Sequence, residues 1–398
     1  MPPRARRRAL IVVAALAVLS IVAVACGSAA SGTGDGDTTI DDPSADPVAT
    51  VDPVLLFGPE WQTDFSKHSV EFDELLRGQV RDGIPAIDNP QFTSIAGGNE
   101  FLAEQEPVIV LELNGDARAY PIQILIWHEI VNDVVGGVPV TVTFCPLCNS
   151  AIAFEREFNG RLFDFGTSGL LRNSDLVMYD RQTQTWWQQF TGEAIVGELT
   201  GTLLEVVPAS VVSWGDFKET HPDGQTLSRD TGFARSYGSN PYVGYDTTES
   251  RPFLFDGTPD GRLAPAERIV AVELNGETVG YPFAILEGLL VVEDIVGGEP
   301  IVVFFQPGTV SALDRSTIAD SRDVGASGVF RPEAAGQTLT FRADGEVIVD
   351  NETGSEWNVL GKAMSGPLEG TELTPVIHGD HFWFAWAAFK PETRIFGG

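Results

Sequence analysis

The chain has 398 residues, 43 % of them hydrophobic and 10 % aromatic, and its 56 acidic side chains outnumber 25 Lys and Arg for a net charge of -31. That length supports one to three domains with substantial cores, and so acidic a chain excludes nucleic acid as a general partner. Three cysteines exclude a disulfide-rich scaffold, and 42 Gly with 25 Pro favour turns and short strands over a helical bundle.

Residues 1–25 read as a lipoprotein signal peptide. Arg4, Arg6, Arg7 and Arg8 precede an uncharged apolar run from Ala9 to Ala25, short for a membrane span. The run ends in Ala23-Val24-Ala25-Cys26-Gly27-Ser28. Small residues before a cysteine resemble the lipobox of bacterial lipoproteins, with Ala23 where Leu is usual. The expectation is cleavage before Cys26, lipidation of its thiol, and an extracytoplasmic protein anchored to the cell membrane. Residues 26–53 are rich in Gly, Ser, Thr and Asp, which predicts a disordered acidic linker.

The next signal is internal. Residues 108–148 align without gaps to 269–309, with 17 of 41 positions identical. Asp180, Thr183 and Trp187 then match Asp350, Thr353 and Trp357, and Trp214, Phe217 and Lys218 match Trp386, Phe389 and Lys390. This predicts two tandem pseudo-repeats packed together, residues 54–262 (including a Gly- and Tyr-rich insertion at 223–262) and 263–398. Within the first, Val108 to Leu113 is a strand turning at Asn114-Gly115. Pro121 opens a helix expected to run to about Asn132. Gly136-Gly137 turns into the strand Val138 to Phe144. Two further hairpins lie over 151–165 and 176–190, and a short helix lies near 213–220. The fold class is α+β, strand-dominated.

Chemistry concentrates in the first unit. Cys145-Pro146-Leu147-Cys148 follows a strand directly, and two thiols so spaced can bridge, share a metal or cycle in redox state. Asn149 follows where a c-type haem site needs His. The second unit has Gln306 and Thr309 in place of the cysteines, and Gly288, Leu289 and Leu290 in place of Trp127, His128 and Glu129. One half thus reads as the bearer of a site and the other as scaffold. Thiolates with imidazole suit copper or zinc. Cys145, Cys148 and His128 are the candidate ligands. Met178 is a further candidate whose thioether favours copper over zinc, and Glu129 and Trp127 are candidate supports. Downstream, Gly166-Thr167-Ser168-Gly169 leads to Arg172, Asn173, Asp175 and Asp180. They read as site residues or as a tight turn in which Arg172 pairs with Asp175 or Asp180. Trp187 recurs in the second unit and reads as core; Trp186 does not and is the better site candidate. The insertion's tyrosines read as a cover for the site or as rings packed on the other half. His378 and His381 are close enough in sequence to share a metal.

The strings Phe144-Cys145-Pro146-Leu147-Cys148-Asn149-Ser150, Trp127-His128-Glu129-Ile130-Val131-Asn132, Gly166 to Asp180 and Tyr237-x-x-Asn240-Pro241-Tyr242 together resemble the bacterial domain of unknown function 3179, over roughly 80–390. The resemblance implies that His128 and both cysteines belong to that family's defining pattern. It implies no reaction. Three readings follow. The first is a membrane-tethered protein with a copper site for metal binding, delivery or electron transfer. The second is a thiol–disulfide oxidoreductase in which His128 handles the attacking thiol's proton. The third is a ligand-binding or structural protein stapled by a disulfide. The membrane, through the lipid anchor, is the one partner the residues name.

Overall fold

A computed structural model describes residues 53–249 and 251–398. The signal peptide, Cys26 and all but the last residue of the linker lie outside the described residues. Among those described, no helix is long and apolar enough to cross a membrane.

Paired turns set the frame. Asn114-Gly115 (φ 52° and 79°) and Gly136-Gly137 (φ 55° and 86°) each place two successive residues in the left-handed region, as the tight turn between twisted antiparallel strands requires. The first joins Pro107–Leu113 to Asp116–Pro121, and the second joins Ile130–Val135 to Val138–Cys145. The two turns touch: Asn114 Nδ2 donates to Gly136 O at 3.0 Å, and a Cβ on Gly136 would lie 2.0 Å from Leu113 O. Further in, Tyr120 OH donates to Asp133 at 2.6 Å and ties the first hairpin to the second.

The same bonds recur 161 residues later. Asn275 Nδ2 donates to Gly297 O at 3.0 Å, and Tyr281 OH donates to Asp294 at 2.8 Å. The strands Arg268–Leu274 and Glu277–Pro282 keep the register of their counterparts, Val270 opposite Tyr281 as Ile109 is opposite Tyr120. A third motif matches as well. Asp180 accepts from Trp187 Nε1 and Asp350 accepts from Trp357 Nε1, both at 3.0 Å.

The result is an α+β fold made mostly of strands in several small sheets. The sheet Val206–Val207, Ser150–Glu155, Val138–Cys145, Ile130–Val135 carries the cysteine loop at one end. Beside it lies the sheet Leu76–Arg77, Phe165–Arg172, Asp175–Asp180, Trp186–Gln188, Ala194–Val196. One apolar cluster holds Cys145, Cys148 and Trp187 together with Ile269, Phe382 and Trp383, so the core is continuous between residues of the two matching stretches. Burial of such side chains contributes roughly 1.5–3 kcal/mol each.

Two expectations need correction. The helix opened by Pro121 is only Ile122–Leu125, and a strand begins at Ile130. Glu129 takes φ 58° and its N–H caps back to Leu125 O, which stops the helix and turns the chain into the sheet. Trp186 is core: it is fully buried, and Phe57, Trp61 and Phe65 meet it edge to face with ring centroids at 4.9, 5.1 and 5.4 Å. Those three rings precede the first matched strand, and nothing in the repeat pattern announces their contact.

Candidate functional site

Cys145 is the last residue of its strand, paired with Ser150 across a four-residue loop. Asn149 at φ 51° closes that loop, and Cys148 N donates to Cys145 O at 3.3 Å. The short loop therefore points both sulfurs inward, where each residue is at most 1 % exposed. The far half of the chain clamps it, since Phe382 N donates to Cys148 O at 2.9 Å and Asn149 Nδ2 donates to Asp380 O at 3.2 Å.

Asp175 comes to the same point from the neighbouring sheet. Asn173 and Ser174, at φ 52° and 67°, form the two-residue turn that places Asp175 at the start of its strand. The two sulfurs and a carboxylate oxygen of Asp175 all lie within 4.8 Å of one another, and all three residues are buried. Oδ2 of Asp175 accepts from Gln188 Nε2 at 2.6 Å and from Phe190 N at 3.0 Å. Oδ1 has no partner among the described residues. Ser150 Oγ and Gln188 Oε1, on the residues paired with Cys145 and bonded to Asp175, are likewise buried and unpartnered, as is Oε1 of Gln189, whose Nε2 donates to Ser150 O. Buried polar atoms are ordinarily satisfied, so the unpartnered Oδ1 of Asp175 beside two thiols stands out.

The electrostatics agree. Burial pushes Asp175 up to about 7. Burial, and then the neighbouring Asp175 and Glu129, hold the Cys145 thiol above its ordinary value, and Cys148 is raised well above it. Burial and the proximity of Asp175 push Glu129 up to about 8. The charges bearing on these groups are one another's, so ionising them together demands a cation.

His128 is elsewhere. Its Nδ1 lies 2.7 Å from Pro85 O and its Nε2 lies 2.7 Å from Tyr237 OH. A carbonyl only accepts, so Nδ1 carries the proton and Nε2 accepts from the tyrosine. Burial keeps the ring neutral by lowering its pKa. Both nitrogens are engaged away from the sulfurs, and the imidazole expected as third donor does not join them.

The remaining candidates divide. Met178 is fully buried core, opposite Trp187 and Thr167. Trp127 Nε1 donates to Ser239 O at 3.2 Å and anchors the insertion. Arg172 pairs with Glu74 at 2.7 Å and lies over the Phe389 ring, not with Asp175 or Asp180. Asn173 is a turn residue. Asp180 is taken up by Thr183 and Trp187, a bond pattern that Asp350 repeats, so it is structural. His378 is held at Nδ1 by Val376 O, and His381 stacks on Trp386 at 5.5 Å.

The insertion covers the site and also packs on the other half. Burial, with Cys148 and Cys145 nearby, pushes Tyr245 up to about 12, and Tyr245 also faces the Phe382 ring at 6.3 Å. Tyr242 is raised by burial and by Glu129 and Cys145 beside it. Gln188 and Gln189 close the run Trp186 to Gln189, which the sequence offers as a pocket wall. Asn358 and Val359 stand at the matching places.

A family model described as "Protein of unknown function (DUF3179)" matches residues 81–393. No curated protein and no solved structure matches the chain. The chain belongs to this family, whose matched span includes both cysteines, Asp175 and the insertion.

Proposed function

We propose that the protein binds one thiophilic metal ion at Cys145, Cys148 and Asp175, in a chain tethered outside the cytoplasm by lipid on Cys26. The observation that carries this is the buried convergence of two sulfurs with the carboxylate of Asp175, one of whose oxygens has no hydrogen-bond partner among the described residues. A cation would take up Asp175 Oδ1 and offset three acids whose ionisation burial otherwise resists. Thiolates suit copper(I) and zinc alike, and the carboxylate as third donor favours zinc. Three protein donors leave one position of a four-coordinate ion for another ligand, which suits delivery or ligand activation better than a closed structural site. Glu129 stands beside the donors as a support rather than a member of the set. The lipid tether rests on the leader sequence, and the matching hydrogen bonds 161 residues apart support descent of both halves from one unit.

Full-length protein, treated with chelator and reductant, is titrated with zinc and with copper(I) against a chromophoric competitor. One equivalent should bind. Cys145→Ser and Cys148→Ser should each weaken it by about a hundredfold or more, and Asp175→Asn by roughly tenfold to a hundredfold. Equal binding by the variants, or none by the parent, sinks the reading. Parent protein that binds no metal but exchanges its thiols readily with glutathione would favour the dithiol reading instead.

A further inference from the structure

Next to the sulfur cluster, on the insertion side, lies a cavity of about 250 Å³. Its walls are mainly apolar, with Leu147, Leu170, Leu176 and Phe253 among them. Four polar side chains, those of Gln79, Glu129, Thr167 and Tyr242, line the same space, and Thr167 Oγ1 is already spent on Ile84 O. Glu129 is only 7 % exposed, and among the described residues no hydrogen bond reaches its carboxyl or the Tyr242 hydroxyl. Leaving a buried carboxyl unpaired is costly, so its presence needs a reason.

The fold does not supply one. Leu290 holds the matching bend at φ 63°, against 58° for Glu129. Leu290 N donates to Leu286 O and Phe305 N donates to Leu290 O, as Glu129 N does to Leu125 O and Phe144 N to Glu129 O. The left-handed backbone therefore belongs to the scaffold and accepts a leucine. The carboxyl is an addition, carried by a fixed bend at the wall of a mainly apolar space and close enough to Tyr242 to raise its pKa. An apolar pocket with few convergent polar groups is the usual form of a small-molecule site, and this one is below the ~300 Å³ at which pockets for drug-sized ligands begin.

We propose that this cavity binds a small uncharged organic molecule, its apolar body against the leucines and its single carbonyl or hydroxyl oxygen held by Glu129 and Tyr242. The neighbouring acids disfavour an anion, and the apolar walls give an ammonium group little replacement for its water. The site is separate from the metal reading and is tested without metal.

The test uses chelator-treated full-length protein and acetophenone as probe, followed by ligand-observed NMR titration. Acetophenone should bind saturably at one site, at least tenfold tighter than ethylbenzene, benzoate or 1-phenylethylammonium. Glu129→Leu should cost at least tenfold for acetophenone and improve ethylbenzene. Tyr242→Phe should cost several-fold, and Glu129→Gln, which keeps a hydrogen-bonding group, should retain most of the binding. The proposal is overturned if acetophenone does not saturate, if benzoate or the ammonium binds more tightly, or if Glu129→Leu and Tyr242→Phe leave its affinity unchanged. Because no metal is present, none of these outcomes bears on Cys145, Cys148 and Asp175.

Discussion

Glu129 and Leu290 occupy the same bend in two stretches that fold alike, yet only one bend faces chemistry. Beside Glu129 stand Asp175 and Cys145; the loop that matches Cys145 to Cys148 carries Gln306 and Thr309 instead. Gln306 Nε2 donates to Asp216 at 2.6 Å, an ordinary partner for an ordinary amide. The turns, the tyrosine–aspartate ties and the tryptophan–aspartate bonds are shared, and the buried thiols with the carboxyls beside them are not. The comparison separates what the backbone needs from what was added to it.

The largest effect should come from erasing the difference. Cys145→Gln with Cys148→Thr replaces both cysteines by the residues at the matching places of the second loop. The far-ultraviolet dichroism should persist while metal affinity falls by about a thousandfold or more. Retained affinity would break the comparison.

Next come the shared parts. Gly136→Ala and Gly297→Ala each force a Cβ to within 2.0 and 2.2 Å of a carbonyl oxygen at positive φ. Each should cost about 3–4 kcal/mol in chemical denaturation, and the two should agree within about 1 kcal/mol. Unequal costs would mean that the two frames carry different loads.

Smaller is the pH effect of the added carboxyl. Glu129 binds its proton more tightly folded than unfolded, with its folded value pushed up to about 8. Its contribution is therefore complete below about pH 4.3, its unfolded value, and is lost as pH rises through 8. In metal-free protein, Glu129→Leu should remove part of that decline. It should be more stable than the parent by roughly 2–3 kcal/mol at pH 8.5, with the advantage shrinking as the pH is lowered to 4. Smallest are Trp187→Phe and Trp357→Phe, which each leave an aspartate without its indole donor; about 1–2 kcal/mol apiece is expected from thermal melts, again in step.

Much of this frame is readable in the chain. Asn-Gly and Gly-Gly pairs specify turns locally, and Asp180, Thr183 and Trp187 form their motif within eight residues, so neighbours in sequence are neighbours in space. The helix after Pro121 was overread because apolar periodicity does not register the left-handed bend at Glu129 that ends it. The site itself depends on distant encounters. Cys148 meets Asp175 across two sheets, and His128 is drawn off by Pro85 and by Tyr237. No spacing near Cys145 reveals that competition. Asp175 was visible as a candidate, but its role came from the turn at Asn173-Ser174 that brings it to the sulfurs.

The central claim is that the third donor is a carboxylate and not an imidazole. X-ray absorption at the zinc edge of the zinc-loaded chain addresses it directly. The account predicts two sulfur scatterers at about 2.3 Å with oxygen at about 2.0–2.2 Å, and an Asp175→Asn variant whose oxygen shell changes while both sulfurs remain. The outer-shell pattern of a coordinated histidine ring, lost in His128→Phe, or a first shell without sulfur, would contradict it.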